Sequence, residues 1–237
     1  MNSNQTDREL RTLGVDIGGS GVKVLVLDEK GSPLTERSRV KTPQPATPEA
    51  VLAAIASLAS EQGEFDQVAV GFPGVVKYGI TKTAVNLDPQ WVNFNLADAL
   101  SKLLAKPVKV ANDADIQGLG AVKGQGVELV VTLGTGFGSA LFIDGKLVPN
   151  LEMGHHPFRK NETYEQQLGR AALTKIGVKK WNERLQKAIA NLEHLFNYNT
   201  LYLGGGEAKK INLQLPDNVV IIPNISGLLG GIKLWQD

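Results

Sequence analysis

One pattern occurs twice in this chain: a strand that breaks into glycines and runs out again as a second strand. "LGVDIGGSGVKVLVLDEKG" covers residues 13–31 and "VELVVTLGTGFGSALFIDGKLV" covers 127–148. Laid under one another without gaps, Asp16 falls on Thr132, Gly18 on Gly134, Leu25 on Leu141 and Asp28 on Asp144, a constant step of 116 positions. Each copy heads a comparable run of strands and helices. The chain therefore reads as an internal duplication, an α/β protein of two lobes that pack closely, because no long linker or low-complexity tract separates them.

Local patterns fill in the first lobe. β-branched residues and turn punctuation predict strands at "TLGVDI" (12–17), "VKVLVLD" (22–28) and "LTERSRV" (34–40), a meander. Thr47 as N-cap and Pro48 at the first helical position open a helix whose Val51, Leu52, Ile55, Leu58 and Ala59 recur at helical spacing. "QVAVGF" (67–72) and "PVKVA" (107–111) read as buried strands flanking a helix at "NLADALSKLL" capped by Asn95. In the second lobe "YEQQLGRAALTKI" predicts one helix. "WNERLQKAIANLEHLF" predicts a stronger one, with Trp181, Leu185, Ala188, Ile189, Leu192, Leu195 and Phe196 on one stripe. The strands "TLYLG" and "NVVII" follow, then a helical "SGLLGGIKLW".

Charge and composition narrow the partners. With 25 Lys plus Arg against 24 Asp plus Glu, the formal charge of +1 supplies no global attraction for nucleic acid or an anionic membrane, so any polyanion site must be local. The chain has no cysteine, which excludes disulfides and thiolate metal clusters and fits a reducing compartment. Neither a signal-peptide core in "MNSNQTDREL" nor an apolar run of membrane-span length is present, and the expectation is a cytoplasmic protein.

The motifs point to phosphate. Gly18, Gly19 and Gly21 let backbone N–H groups converge in a tight turn with no Cβ in the way, a nest for phosphoryl oxygens, and Gly134, Gly136 and Gly138 repeat the device. Across a cleft, two such turns can grip one phosphate chain from opposite sides. Asp16 would then orient a magnesium ion through water, while Ser20, Lys23 and Thr135 bind phosphoryl oxygens. In "NDAD" (112–115), Asp113 follows a buried strand and can accept a proton from an attacking hydroxyl at an ordinary pKa. Asn112 and Asp113 can equally cap the next helix, and both roles can coexist. In "EMGHH" (152–156), Glu152 and His155 can hydrogen-bond adjacent sugar hydroxyls; a solvated loop is the plainer reading, and a zinc site lacks its ligands. Gly204, Gly205 and Gly206 either admit a nucleotide base or phosphate or make a plain strand-to-helix turn.

Collectively, "DIGGSGVK", "GFPGVV", "NDAD", "TLGTGFGSA", "EMGH" and "LGGG" resemble, in order and over nearly the whole chain, the ROK family (repressors, open reading frames and sugar kinases) of the actin-like ATPase superfamily. "FPGVVKYGITKTAVNLDPQWVN", "NDADIQGLGAVKGQG" and "LVPNLEMGH" are similar to its polyphosphate-dependent glucokinase branch. The resemblance implies a duplicated ribonuclease-H-like fold with a central cleft. Its first lobe would span residues 1–111 with a returning helix at about 226–237, its second 112–225. It implies Asp113 as general base, and Asn112, Asp113, Glu152 and His155 on the glucose hydroxyls, with Gly74 and Asn86 lining the pocket. A further sugar-binding glutamate is placed at Glu165, with Glu162 as the alternative. The donor channel would be lined by Gly18, Gly19, Ser20, Gly21, Lys23, Gly134, Thr135, Gly136, Gly204, Gly205 and Gly206. The implied activity is transfer of a phosphoryl group to glucose from polyphosphate or ATP with Mg2+, in a homodimer. Most of the family carries a cysteine-rich zinc motif after the "GH" pair; its absence here implies no zinc. Regulators in the family add a helix-turn-helix segment before the first hairpin, and the 11 residues preceding it here are too few for one, so catalysis is preferred to sugar sensing.

Overall fold

The structure is a computed structural model, which describes residues 9–84, 87–223 and 226–236. Two five-stranded sheets carry it. In the first lobe the strands are β1 (Thr12–Gly18), β2 (Gly21–Leu27), β3 (Ser38–Val40), β4 (Gln67–Phe72) and β8 (Val108–Asn112), in the order β3-β2-β1-β4-β8. β1, β2 and β3 are antiparallel neighbours, whereas β4 and β8 join as parallel strands. Parallel pairing demands crossovers. They are helices α1 (Pro48–Glu61) and α2 (Leu96–Leu104), capped by the Thr47 and Asn95 side chains. A small sheet of β5 (Val76–Lys77), β6 (Ile80–Thr81) and β7 (Phe94–Asn95) fills the β4–α2 connection.

The second lobe repeats this plan. Its main sheet runs β11-β10-β9-β14-β15, built from β9 (Val127–Leu133), β10 (Phe137–Ile143), β11 (Lys146–Val148), β14 (Thr200–Gly204) and β15 (Val219–Ile221). β10 begins and ends 116 positions after β2, whereas β9 begins and ends 115 after β1, so the second hairpin repeats the order of the first but pairs one residue out of step: Lys23 opposes Asp16, while Ser139 opposes Val131 and not Thr132. A two-stranded ribbon of β12 (Pro157–Arg159) and β13 (Glu162–Thr163) leads into α4 (Tyr164–Leu168) and α5 (Arg170–Phe196), which is interrupted at Gly177 (φ 76°, ψ 161°) and so consists of two helical segments. Each lobe has its own core. Val15, Ile17, Ile55, Phe72 and Trp91 are buried together in the first, and Leu129, Val131, Tyr164, Trp181, Leu185 and Leu201 in the second.

Between the sheets lies α3 (Asp113–Leu119), whose Gly118 has no room for a Cβ against the Phe142 ring of β10. The chain's last described segment, α6 (Ser226–Leu229) and the 3-10 turn after it, returns to α3 and β1. There Leu228 and Ile232 pack with Leu25 and Leu27, and Gly230 lies directly against the Ile116 carbonyl.

Three local expectations change. β3 is only three residues long: the Leu34 N–H still donates to the Val26 carbonyl at 2.8 Å, but the chain then leaves the ladder until Ser38, and the Thr35 hydroxyl accepts from the Val26 N–H in place of a backbone carbonyl. The single helix expected at "YEQQLGRAALTKI" breaks at Gly169, in extended backbone (φ −65°, ψ 169°). A Cβ there would stand 2.9 Å from both the Glu165 and Thr135 carbonyl oxygens, so close approach of the second glycine turn sets the break. Leu195 is 58% exposed, off the buried stripe, while its neighbour Phe196 still packs against the second core.

Candidate active site

Asp113 starts α3 directly after β8, so its carboxylate stands at the carboxyl end of a parallel strand, beside the crevice where open α/β sheets place ligands. Asn112 is the N-cap: its Oδ1 accepts from the Ala114 and Asp115 N–H groups at 2.8 and 3.3 Å, and its Nδ2 donates to the Gly74 carbonyl at 3.1 Å. Asp113 Oδ1 also accepts from Ala114 N–H, at 2.8 Å. Capping is thus present, and it leaves the second Asp113 oxygen free of that bond.

Burial, then the Asp16 carboxylate, push the Asp113 carboxyl up to about 7, against the Ala114 hydrogen bond, with Glu152 and Asp115 adding to the rise. The ordinary pKa expected from sequence is therefore corrected. A base near neutrality is matched to proton abstraction at physiological pH.

A cleft of about 270 Å3 joins this carboxylate to both glycine turns. It is lined from the first lobe by Asp16, Gly18, Gly19, Ser20, Lys23 and Gly74. Asn112 and Asp113 form part of its wall, with Gly134, Thr135 and Gly136 across from them. Glu152, His155, Glu165, Gly205 and Gly206 complete the predicted set. Gly21 and Gly204 stand behind the lining, one under the Arg39 side chain and the other against Gln117 and Ile222. Asn86 lies outside the described residues.

Glu152 precedes and His155 closes a 3-10 turn (Met153–His155), with His155 Nδ1 3.5 Å from Glu152 Oε2. Burial raises the Glu152 carboxyl; His155 offsets this and Glu165 adds to it. Glu165, on α4, accepts from the Phe137 N–H at 3.3 Å and packs over Gly136. Glu162, its alternative, is exposed and bonds Gln167 away from the cleft.

Asp16 bonds Lys23 Nζ at 2.6 Å, an ion pair across the β1–β2 register. Among the described residues no three acidic or histidine side chains cluster as a metal cage. Mg2+ often keeps several waters and takes one or two carboxylates plus substrate phosphates, so Asp16 beside the first glycine turn fits it.

Sequence reasoning missed Gln117, Thr83, Ser139 and Arg170, which also line the cleft. Gln117 was findable: it stands four residues after Asp113, one helical turn on. Arg170 was not, because only the close approach of α5 brings it there, where its Nε donates to Glu207 Oε1 at 2.6 Å.

The ROK family model matches residues 12–221. The chain belongs to the ROK family. Among its relatives, the polyphosphate glucokinase of Mycobacterium leprae is 35% identical over 216 residues, 87% of this chain and 66% of that protein. The polyphosphate glucokinase of Mycobacterium tuberculosis (strain CDC 1551 / Oshkosh) is 32% identical over 238 residues, covering 92% and 88% of the two chains. The solved inorganic polyphosphate/ATP-glucomannokinase from Arthrobacter sp. strain KM aligns with a TM-score of 0.87 at 36% identity, over 96% of this chain and 100% of that one. This ROK chain thus has the actin-like ATPase fold, and its paired sheets are the two halves of that duplication.

Proposed function

We propose that this chain transfers a phosphoryl group from inorganic polyphosphate to the 6-hydroxyl of glucose. The observation that carries the reading is that Asp113 shares one cleft with both glycine-rich turns. Glucose lies against Asn112, Asp113, Glu152, His155 and Glu165, whose carboxylates accept from its hydroxyls. As the 6-oxygen bonds to the terminal phosphorus, its proton passes to Asp113 and the bridging P–O bond breaks, leaving a polymer one phosphate shorter and glucose 6-phosphate. The turns at Gly18–Ser20 and Gly134–Gly136 hold the donor in line, so much of the barrier is met by positioning and by N–H groups aimed at developing charge. Bound Mg2+, held by Asp16 through water, would neutralise donor oxygens.

ATP is the second donor, favoured by the turn in the cleft wall: Gly205, at φ 87°, packs against the Leu133 backbone, while a Cβ on Gly206 would meet nothing nearer than Arg170 Nη2 at 3.9 Å. The further parts of the reading are a first lobe of residues 1–111 with 226–237 returning to it, a second of 112–225, a homodimer and a cytoplasmic location. Glucose 6-phosphate formation with polyphosphate and with ATP, at matched magnesium and saturating glucose, tests the donor. The polyphosphate rate is expected to be higher; a higher ATP rate reverses the donor assignment, and no product with either ends the kinase reading.

A further inference from the structure

Positive charge continues past the cleft along the first sheet. Lys23, which lines the cleft on β2, is the direct register partner of Arg39 on β3, the outer strand of its sheet. Directly opposed residues of an antiparallel pair project from the same face. Their neighbours identify this face: Val22 and Val24 are buried in the core with Val51 and Ile55 of α1, and Ser38 Oγ accepts from Gln62 just beyond α1. Lys23 and Arg39 therefore occupy the side away from α1, continuous with the cleft. Arg39 is exposed, yet its guanidinium is seated on the first glycine turn: Nη2 donates to the Ser20 carbonyl at 3.4 Å, and a Cβ on Gly21 would stand 2.6 Å from its Nε. Arg37 and Lys41, two residues to either side, are exposed as well. Glu36 is the one acidic residue within 36–41.

We propose that Arg39, Arg37 and Lys41, continuing outward from the Asp16-paired Lys23, form a basic track that binds the distal phosphates of a linear polyphosphate chain leaving the cleft over the β2–β3 edge. The proposal rests on the phosphoryl-transfer reading and names the donor as a polymer. A dense polyanion gains affinity from each cation it meets by releasing counterions. Single-stranded nucleic acid also needs aromatic platforms for its bases, and "ERSRVK" has none. Nor does the overall charge of +1 draw polyanions elsewhere, so the track is a local device.

The test compares wild type with the triple variant R37Q/R39Q/K41Q, using sodium polyphosphate of several tens of units, tripolyphosphate, and an oligothymidylate of matched charge. Binding is followed directly by calorimetry and turnover by glucose 6-phosphate. The variant is expected to raise the long-chain KM by about 10-fold or more, to raise the tripolyphosphate KM by less than about 3-fold, and to flatten the salt dependence of long-chain binding. Equal losses with short and long donors would overturn the track, since they would mean that Arg39 only braces the glycine turn. So would an unchanged long-chain KM, or oligothymidylate binding as tightly as polyphosphate. If the wild type binds the polymer and loses it in the variant but forms no product, the track stands and the kinase reading falls.

Discussion

At Asp113 the structure combines a helix-capping position with a carboxyl held near neutrality. Both properties can be read in one variant. Asp113→Asn keeps size and the capping oxygen but removes the proton acceptor, so turnover is expected to fall by at least ~10²-fold with glucose binding retained, measured by initial rates and calorimetry. Near-normal turnover would remove Asp113 from its role. Stability moves the other way. Its folded-state pKa of about 7 lies above the unfolded value of 3.8, so the group favours folding fully below 3.8 and loses that contribution as pH rises through 7. Melting curves should show the variant gaining on wild type between pH 4 and 8, with the largest advantage at the alkaline end.

Among the elements, the β9 hairpin is anchored by a buried carboxylate. Burial alone would raise Glu128, but the N–H groups of Lys123, Gln125 and Gly124 and the Tyr202 hydroxyl together hold it below the ordinary glutamate range. Each of these donors would lose a charged partner in Glu128→Gln, which is expected to destabilise the fold by roughly 2 kcal/mol at pH 7. Because a depressed carboxyl contributes above its unfolded value of 4.5 and loses that contribution as pH falls through its folded value, the deficit should shrink in acid. Urea titrations at pH 7 and pH 4 give the comparison. An equal deficit at both would mean that shape, and not charge, matters there.

Across the whole molecule, the lobes are tied by more than α3. Asn150, at φ 61°, accepts from the Val76 N–H at 2.9 Å and donates to the Val76 carbonyl at 3.0 Å, while its own N–H reaches Asp115 Oδ2 at 3.4 Å. The amide thus clasps the first lobe two residues ahead of Glu152. Asn150→Ala should cost roughly 1–2 kcal/mol and weaken glucose binding several-fold, seen by thermal melts and calorimetry; unchanged affinity would make the clasp purely structural. Such long-range pairs mark the limit of what the sequence shows. The duplicated hairpins, the caps at Thr47 and Asn95 and the glycine turns were legible because they depend on residue types a few positions apart. The short β3, the break at Gly169, Arg170 in the cleft wall and the raised Asp113 carboxyl were not. Sequence alone determined the two repeated units and their chemistry-bearing turns, since local backbone preference and hydrophobic period act over neighbouring residues. Only the tertiary structure decided which carboxylates lose their water and which cations meet across strands, because desolvation and Coulomb interaction depend on distances through space that the chain order does not encode.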